Sequence, residues 1–187
     1  MDTIVLSGKK ELDIYINPQR QKLLRCMKIA GVPMTPKQLS DQLGISASAV
    51  QHHIKKLVEL GVVALDHTEV IRGITASYYQ VLPKTISIGG KVADENDEQR
   101  IAIMQNSMNT IFSGFSEYCK SNRARAEQDM QHGDMLSGIL RLDREEAKEL
   151  YQLIRDFLDS HEQTESKDAT PWEYALIAYP VLEERDA

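Results

Sequence analysis

The feature that most restricts this fold is a pair of short amphipathic helical patterns that meet at Gly44, within residues 35–81. Thr35 followed by Pro36, with Gln38 three positions after Thr35, is a helix start: the hydroxyl accepts an early backbone N–H, and proline loses nothing at the first helical position. Leu39 and Leu43 then lie one turn apart. Gly44 ends the helix, since a left-handed cap residue is easiest without a Cβ. Ile45 is expected to tuck inward and Ser46 to cap a second helix. In that helix Val50, Ile54, Leu57 and Val58 follow the i, i+4, i+7, i+8 spacing of a buried stripe. Ser48, Gln51, His52 and Lys55 must therefore point elsewhere.

A helix that buries one side and offers short hydrogen-bonding side chains near its N-terminus is what a helix-turn-helix needs to read a major groove. Ser46, Ala47, Ser48, Gln51 and His52 have the size and chemistry for base edges, and Lys55 and Lys56 suit phosphates. Gly61 closes the second helix. Strand-like residues Val62, Val63 and Leu65 follow, then a polar turn with Arg72 and Gly73, then residues 77–81 with two tyrosines. A two-stranded ribbon just after a recognition helix reads as a wing, whose tip near Arg72 would reach a minor groove or a phosphate.

On these residues, 19–82 resemble the winged helix-turn-helix of ArsR-type bacterial transcriptional regulators, above all in LGISASAVQHHIKKLVELGVV. The resemblance implies repressor function, with Ser46, Ala47, Ser48, Gln51, His52 and Lys55 on the recognition helix and Arg72 on the wing. Metal-sensing members carry a cysteine motif on the helix before the recognition helix. Residues 38–43 contain no cysteine here, so no metal site is expected.

Net charge taken whole argues against nucleic acid, because 22 basic and 28 acidic residues leave −6. The halves differ: residues 1–91 hold 12 Lys plus Arg against 7 Asp plus Glu, a net of +5, and residues 92–187 hold 10 against 21, a net of −11. Phosphate binding depends on local positive charge, so the basic half is the one expected on DNA. At 187 residues the chain is long enough to bury its own core. The start lacks the pattern of a signal peptide, and no run approaches the ~18 apolar residues of a membrane helix. Cys26 and Cys119 form no metal spacing and read as small buried hydrophobes, which fits a reduced cytoplasm.

In chain order, Leu12, Ile14 and Ile16 alternate with Asp13 and Tyr15 like a half-buried strand. Asn17 and Pro18 open a helix whose Leu23, Leu24, Met27 and Ala30 face the core, with Lys22, Arg25 and Lys28 on its solvated face. Gly31, Val32 and Pro33 end it. Pro83, Gly89, Gly90 and an acidic run at 94–98 mark a joint between domains 1–91 and 92–187. The acidic run suits a helix N-terminus better than a metal site. From 98 to about 123, Ile101, Met104, Met108, Ile111, Phe115 and Tyr118 form a heptad seam. That seam serves either dimerisation or packing within the monomer, and a palindromic operator favours the dimer.

Residues 121–133 read as a loop and 135–142 as a strand. Asp143 with Glu146 forms a capping box for a helix buried along Ala147, Leu150, Ile154, Phe157 and Leu158. After a polar connector at 162–170, residues 172–181 read as a final strand. Strand, helix and strand suggest a small α/β module with parallel strands. Its Trp172, Tyr174 and Tyr179 either pack on the helix, the favoured reading, or line a ligand pocket or a second interface. No nucleophile, base and orienting group are announced by spacing, so an enzyme is not expected. His132 and His161 stand alone, and His52 and His53 diverge by about 100 degrees on a helix rather than forming a metal pair. His53 is free to bond a backbone or phosphate group.

The sequence thus describes an α+β chain: an N-terminal winged helix-turn-helix, a long dimerisation helix and a small C-terminal α/β module that either senses a ligand or stiffens the dimer. Its expected partners are double-stranded DNA, a second copy of itself and an unidentified small-molecule effector, with no cofactor, metal or membrane. The alternative is a winged helix that binds protein and no DNA.

Overall fold

The computed structural model describes residues 3–88, 95–122, 133–161 and 169–181. The chain divides into two compact units, Met1–Ile103 with Leu140–Ala169 and Met104–Ile139 with Thr170–Ala187.

Strand β1, Thr3–Val5, leads into helix α1, Lys9–Ile16. The alternation at 12–16 is therefore helix and not strand. Leu12 and Ile16 are also one helical turn apart, so five residues fit either period. The Glu11 carboxylate decides the case by folding back to accept from the backbone N–H of Ser7 and Gly8, at 2.9 and 3.0 Å. Helix α2, Pro18–Ala30, begins where Asn17 Oδ1 accepts from Gln19 N and Arg20 N, and ends at Gly31 with φ 64°. It buries Leu23, Leu24 and Met27, while Ala30 is exposed at its last turn rather than facing the core.

Helices α3, Pro36–Leu43, and α4, Ala47–Glu59, follow, then strands β2, Val63–Ile71, and β3, Ile74–Val81. β2 and β3 pair antiparallel from Val63↔Val81 to Ile71↔Ile74, with an irregularity between Leu65 and His67. Met34 and Tyr79 exchange both backbone hydrogen bonds at 2.9 Å, which ties the segment before α3 to β3. Strand β4, Thr85–Ser87, pairs parallel with β1 at Thr3↔Thr85, Ile4↔Ile86 and Val5↔Ser87. The segment before α1 and the segment after the β2–β3 hairpin are thereby held together.

The core is contained in this segment and the start of the next helix. It is built by Leu6, Leu12, Leu23, Leu39, Val50, Ile54, Leu57 and Val63, all fully buried, with Met27, Met34, Val62 and Ile103 around them.

Helix α5, Asp97–Asn122, occupies the expected span. Its contribution to the core comes from Ile103 and from Arg100, whose guanidinium meets Asp97 at 3.1 Å. Neither lies on the expected seam. Ile101, Met104 and Met108 of that seam are exposed, and Ile111, Phe115 and Tyr118 are half-buried. Helix α6, Arg144–His161, starts on the expected capping box: Asp143 N donates to Glu146 Oε2 at 2.8 Å, and Glu146 N donates to Asp143 Oδ1 at 2.9 Å. Its apolar stripe is not buried. Leu150, Ile154 and Leu158 are half-covered and Phe157 is exposed.

The flanking strands are not formed. Residues 135–142 and 172–181 carry no regular secondary structure, with Leu136, Ile139, Trp172, Tyr174 and Tyr179 all exposed. A strand needs a neighbouring strand for its backbone donors and acceptors, and the described residues pair neither segment into a sheet. The parallel pair is absent from the described residues. The joint at Gly89 and Gly90, most of the 121–133 loop with His132, and most of the connector after His161 lie outside those residues.

Candidate nucleic-acid interface

The α3–α4 pair and the sharp turn between the two helices are fixed by three local devices. At the start of α3, Gln38 N donates to Thr35 Oγ1 at 3.2 Å, and Thr35 N donates to Gln38 Oε1 at 2.7 Å. At its end Gly44 adopts φ 66° and its N–H reaches Ser40 O at 3.0 Å, while the Ser40 hydroxyl donates to Ile45 O at 2.7 Å. Ser46, in extended backbone at φ −64° and ψ 147°, then caps α4 by accepting from Ala49 N at 3.2 Å. Replacing such a cap by alanine costs about 1 kcal/mol.

Once started, α4 sorts its side chains sharply by face. Val50, Ile54 and Leu57 are at most 1% exposed. Ser46, Ala47, Ser48, Gln51, His52 and Lys55 are all exposed, as the sequence expects. Val58 is not part of the buried stripe but 42% exposed, because it lies at the stripe's outer edge in the last turn. Ser46 and Ser48 hydroxyls lie 3.1 Å apart, so one can orient the other.

The two lysines of this helix differ. Lys56 Nζ is 2.8 Å from Glu59 Oε2, whereas Lys55 makes no ion pair among the described residues. Glu59 also takes Lys10 of α1 at 2.5 Å, and hydrogen bonds from both ammonium groups hold its carboxyl down to about 2. That cluster fastens the end of α4 to α1 and removes Lys56 from the candidates for phosphate.

His53 departs from its expected freedom. It is half-buried with Nδ1 enclosed and unpartnered, and burial, then the Arg20 and His52 charges, push its pKa below the usual histidine value. Its neighbour His52 stands on the exposed face, ring centroids 5.7 Å apart. The Arg20 guanidinium donates to Asp13 O and Ile14 O, at 3.3 and 3.0 Å, and so joins α2 to α1 behind this helix. Cys26, half-buried on α2, donates its thiol hydrogen to Gln42 Oε1 of α3 at 2.7 Å.

β2 begins four residues after α4 ends, and its hairpin with β3 turns at Arg72 and Gly73, with φ 52° and 82°. Positive φ at both central residues is the type I′ turn that matches strand twist. Glycine adopts it freely; Arg72 does so at a cost of about 1 kcal/mol. Arg72 is exposed and without an ion pair among the described residues. The wing's own carboxylates are engaged: Asp66 Oδ2 lies 2.6 Å from His67 Nδ1, and Glu69 accepts from the Tyr78 hydroxyl at 3.2 Å. His67 and Tyr78 stack at 4.4 Å across the strands.

The fold therefore leaves six sequence-derived residues exposed from the cap of α4 to its third turn and sets Arg72 at a hairpin tip. Ile101, Met104 and Met108 belong to a separate apolar run on α5. Among the described residues no helix is long and apolar enough to cross a membrane, and no group of three or more His, Cys, Asp or Glu is placed to hold a metal ion.

Comparison with known proteins gives a bounded result. Residues 15–66 match the family described as a helix-turn-helix domain. Among solved structures the chain is similar to the adhesin competence repressor AdcR from Streptococcus pyogenes, at 17% identity over 80% of this chain and 83% of that one, with a TM-score of 0.36. No curated protein matches the chain. The matched segment spans α2, α3, the Gly44 turn and α4, two helices joined by a sharp turn and packed on a third.

Proposed function

We propose that this chain is a sequence-specific DNA-binding transcriptional regulator of the ArsR type, acting as a homodimer on a palindromic operator, most simply as a repressor. The observation that carries the reading is the two-faced α4. Three apolar side chains anchor it at 1% exposure or less, and its N-terminal half offers Ser46, Ser48, Gln51 and His52 to solvent. An anchored helix with free short polar groups at its leading end can seat in a major groove and hydrogen-bond base edges. Lys55 and Arg72 supply the cations for phosphate or minor groove.

The exposed run Ile101, Met104 and Met108, continued by Ile111, Phe115 and Tyr118, supports α5 as the dimerisation helix. Two copies joined there would present two recognition helices to half-sites about 34 Å apart. An effector taken up by the C-terminal half would act by altering that spacing, which weakens binding because both half-sites can no longer be met at once. Nothing in this reading calls on catalysis, a cofactor or a membrane, and the place of action is the cytoplasm.

The test is binding to duplexes selected by the full-length protein from genomic DNA, measured as salt is raised. The affinity should fall steeply through loss of counterion release. Lys55→Ala should weaken all duplexes and flatten the salt slope by about one, and Gln51→Ala should relax base preference at one position. Failure to enrich any duplex, or salt-independent binding, leaves the winged helix as a protein-binding module instead.

A further inference from the structure

We infer that the wing tip is an apolar wedge that enters a DNA minor groove and kinks the duplex, an inference that rests on the DNA-binding reading above. A hairpin tip in water is ordinarily polar, yet this one carries Val70 at 69% exposure, Ile71 at 44% and Ile74 at 74%. The register sets Ile71 directly opposite Ile74 on one face of the ribbon, with Val70 opposite Thr75 on the other. Between them stands Arg72, held at φ 52° where asparagine, aspartate or glycine would sit without strain, so the cation is placed at the very end of the ribbon.

The combination selects its occupant. A protein partner needs roughly 800 Å² of surface on each side, far beyond what a two-residue turn and its flanks can cover. Phosphates would take Arg72 and gain nothing from the isoleucines. A narrow minor groove attracts an inserted arginine by its negative potential, and one or two apolar side chains suffice to unstack a base step and kink the helix by roughly 20–90°. The two wing carboxylates, Asp66 and Glu69, lie on β2 behind the tip and hydrogen-bond to His67 and Tyr78. The base step reached should be a flexible one, TA or CA, in the flank outside the major-groove contacts.

The experiment uses the full chain and duplexes it selects from a random library, with the bend read by end-to-end energy transfer and by circular-permutation mobility. Bound duplex should be bent by about 20° or more. The double change Val70→Ser with Ile74→Ser should reduce that bend and lower affinity about tenfold for TA- or CA-flanked duplexes, while Ile74→Leu keeps both. The changed residues are exposed, so unaltered melting temperature serves as the folding control. Straight bound DNA, with the serine variant binding like the parent, overturns the wedge and leaves the regulator reading standing. If the parent protein enriches no duplex, both fall together.

Discussion

Helices α4 and α6 show the same kind of pattern and meet opposite fates. Each carries apolar residues at helical spacing and each begins on a serine or aspartate cap, at Ser46 and Asp143. In α4 the stripe is sealed, with Val50 and Leu57 fully buried; in α6 Leu150, Ile154 and Leu158 are only half-covered and Phe157 is 63% exposed. A cap and an amphipathic period are properties of the segment, and they suffice to start and shape a helix. Burial is a property of what lies opposite. Helix α4 has α1, α2, α3 and the base of the wing against it, and α6 has no comparable cover among the described residues.

The sharpest way to break that contrast is a pair of truncations. Ile54→Ala should cost about 3 kcal/mol in urea unfolding, because it leaves a cavity in a closed core. Phe157→Ala should cost about 0.5 kcal/mol or less, the range for surface positions. A loss at Phe157 comparable with that at Ile54 would mean that α6 is covered in solution.

What the sequence made legible follows the same division. Caps at Asn17, Thr35, Ser46 and Asp143 were readable because each is a contact within a few residues. The exposed set Ser46, Ala47, Ser48, Gln51, His52 and Lys55 followed by exclusion from the apolar stripe. Strands were less readable, since alternation states a preference whose fulfilment depends on a distant partner. Residues 135–142 and 172–181 carry apolar runs but no regular secondary structure, and Leu12 to Ile16 alternate inside a helix. The reverse error arises at β1 and β4, three residues each and about eighty apart, which find each other without a readable signal. Ile103 was missed because it lies off the heptad seam, although it is the apolar residue by which α5 joins the core.

The next effect in size concerns the α5 seam, which the proposed reading makes the dimer contact. Met108→Asp with Ile111→Asp should convert a dimer to a monomer in sedimentation. The operator affinity should drop about 100-fold, since the second half-site would no longer be reached at high effective concentration. A variant that stays dimeric would move the interface off α5.

Smaller again is the effect at the wing, where local strain and exposure coincide. Arg72→Asn should raise stability by about 1 kcal/mol or less, because asparagine tolerates the left-handed conformation better. The same change should weaken DNA binding through the lost cation. Thermal unfolding and duplex titration on one preparation check both signs. A variant that loses stability shows that Arg72 contributes to the hairpin in some other way.

The smallest effect separates α4 from α6 by pH. Lys148 and Glu145 tie α6 only to itself, whereas Glu59 links α4 through Lys10 to α1, with Lys56 beside it. Two ammonium groups hold the Glu59 carboxyl at about 2, below its ordinary 4.5. The folded state therefore binds that proton less readily than the unfolded chain does. The stabilisation is fully present above pH 4.5 and is lost as pH falls toward 2. The site is exposed and solvent screens it, so the effect is small. Glu59→Gln should lower stability slightly at neutral pH and flatten the decline between those values, as urea midpoints across that range would show. An unchanged slope would mean that the cluster does not bind α1 to α4 in solution, and that the anchoring of α4 rests on Val50, Ile54 and Leu57 alone.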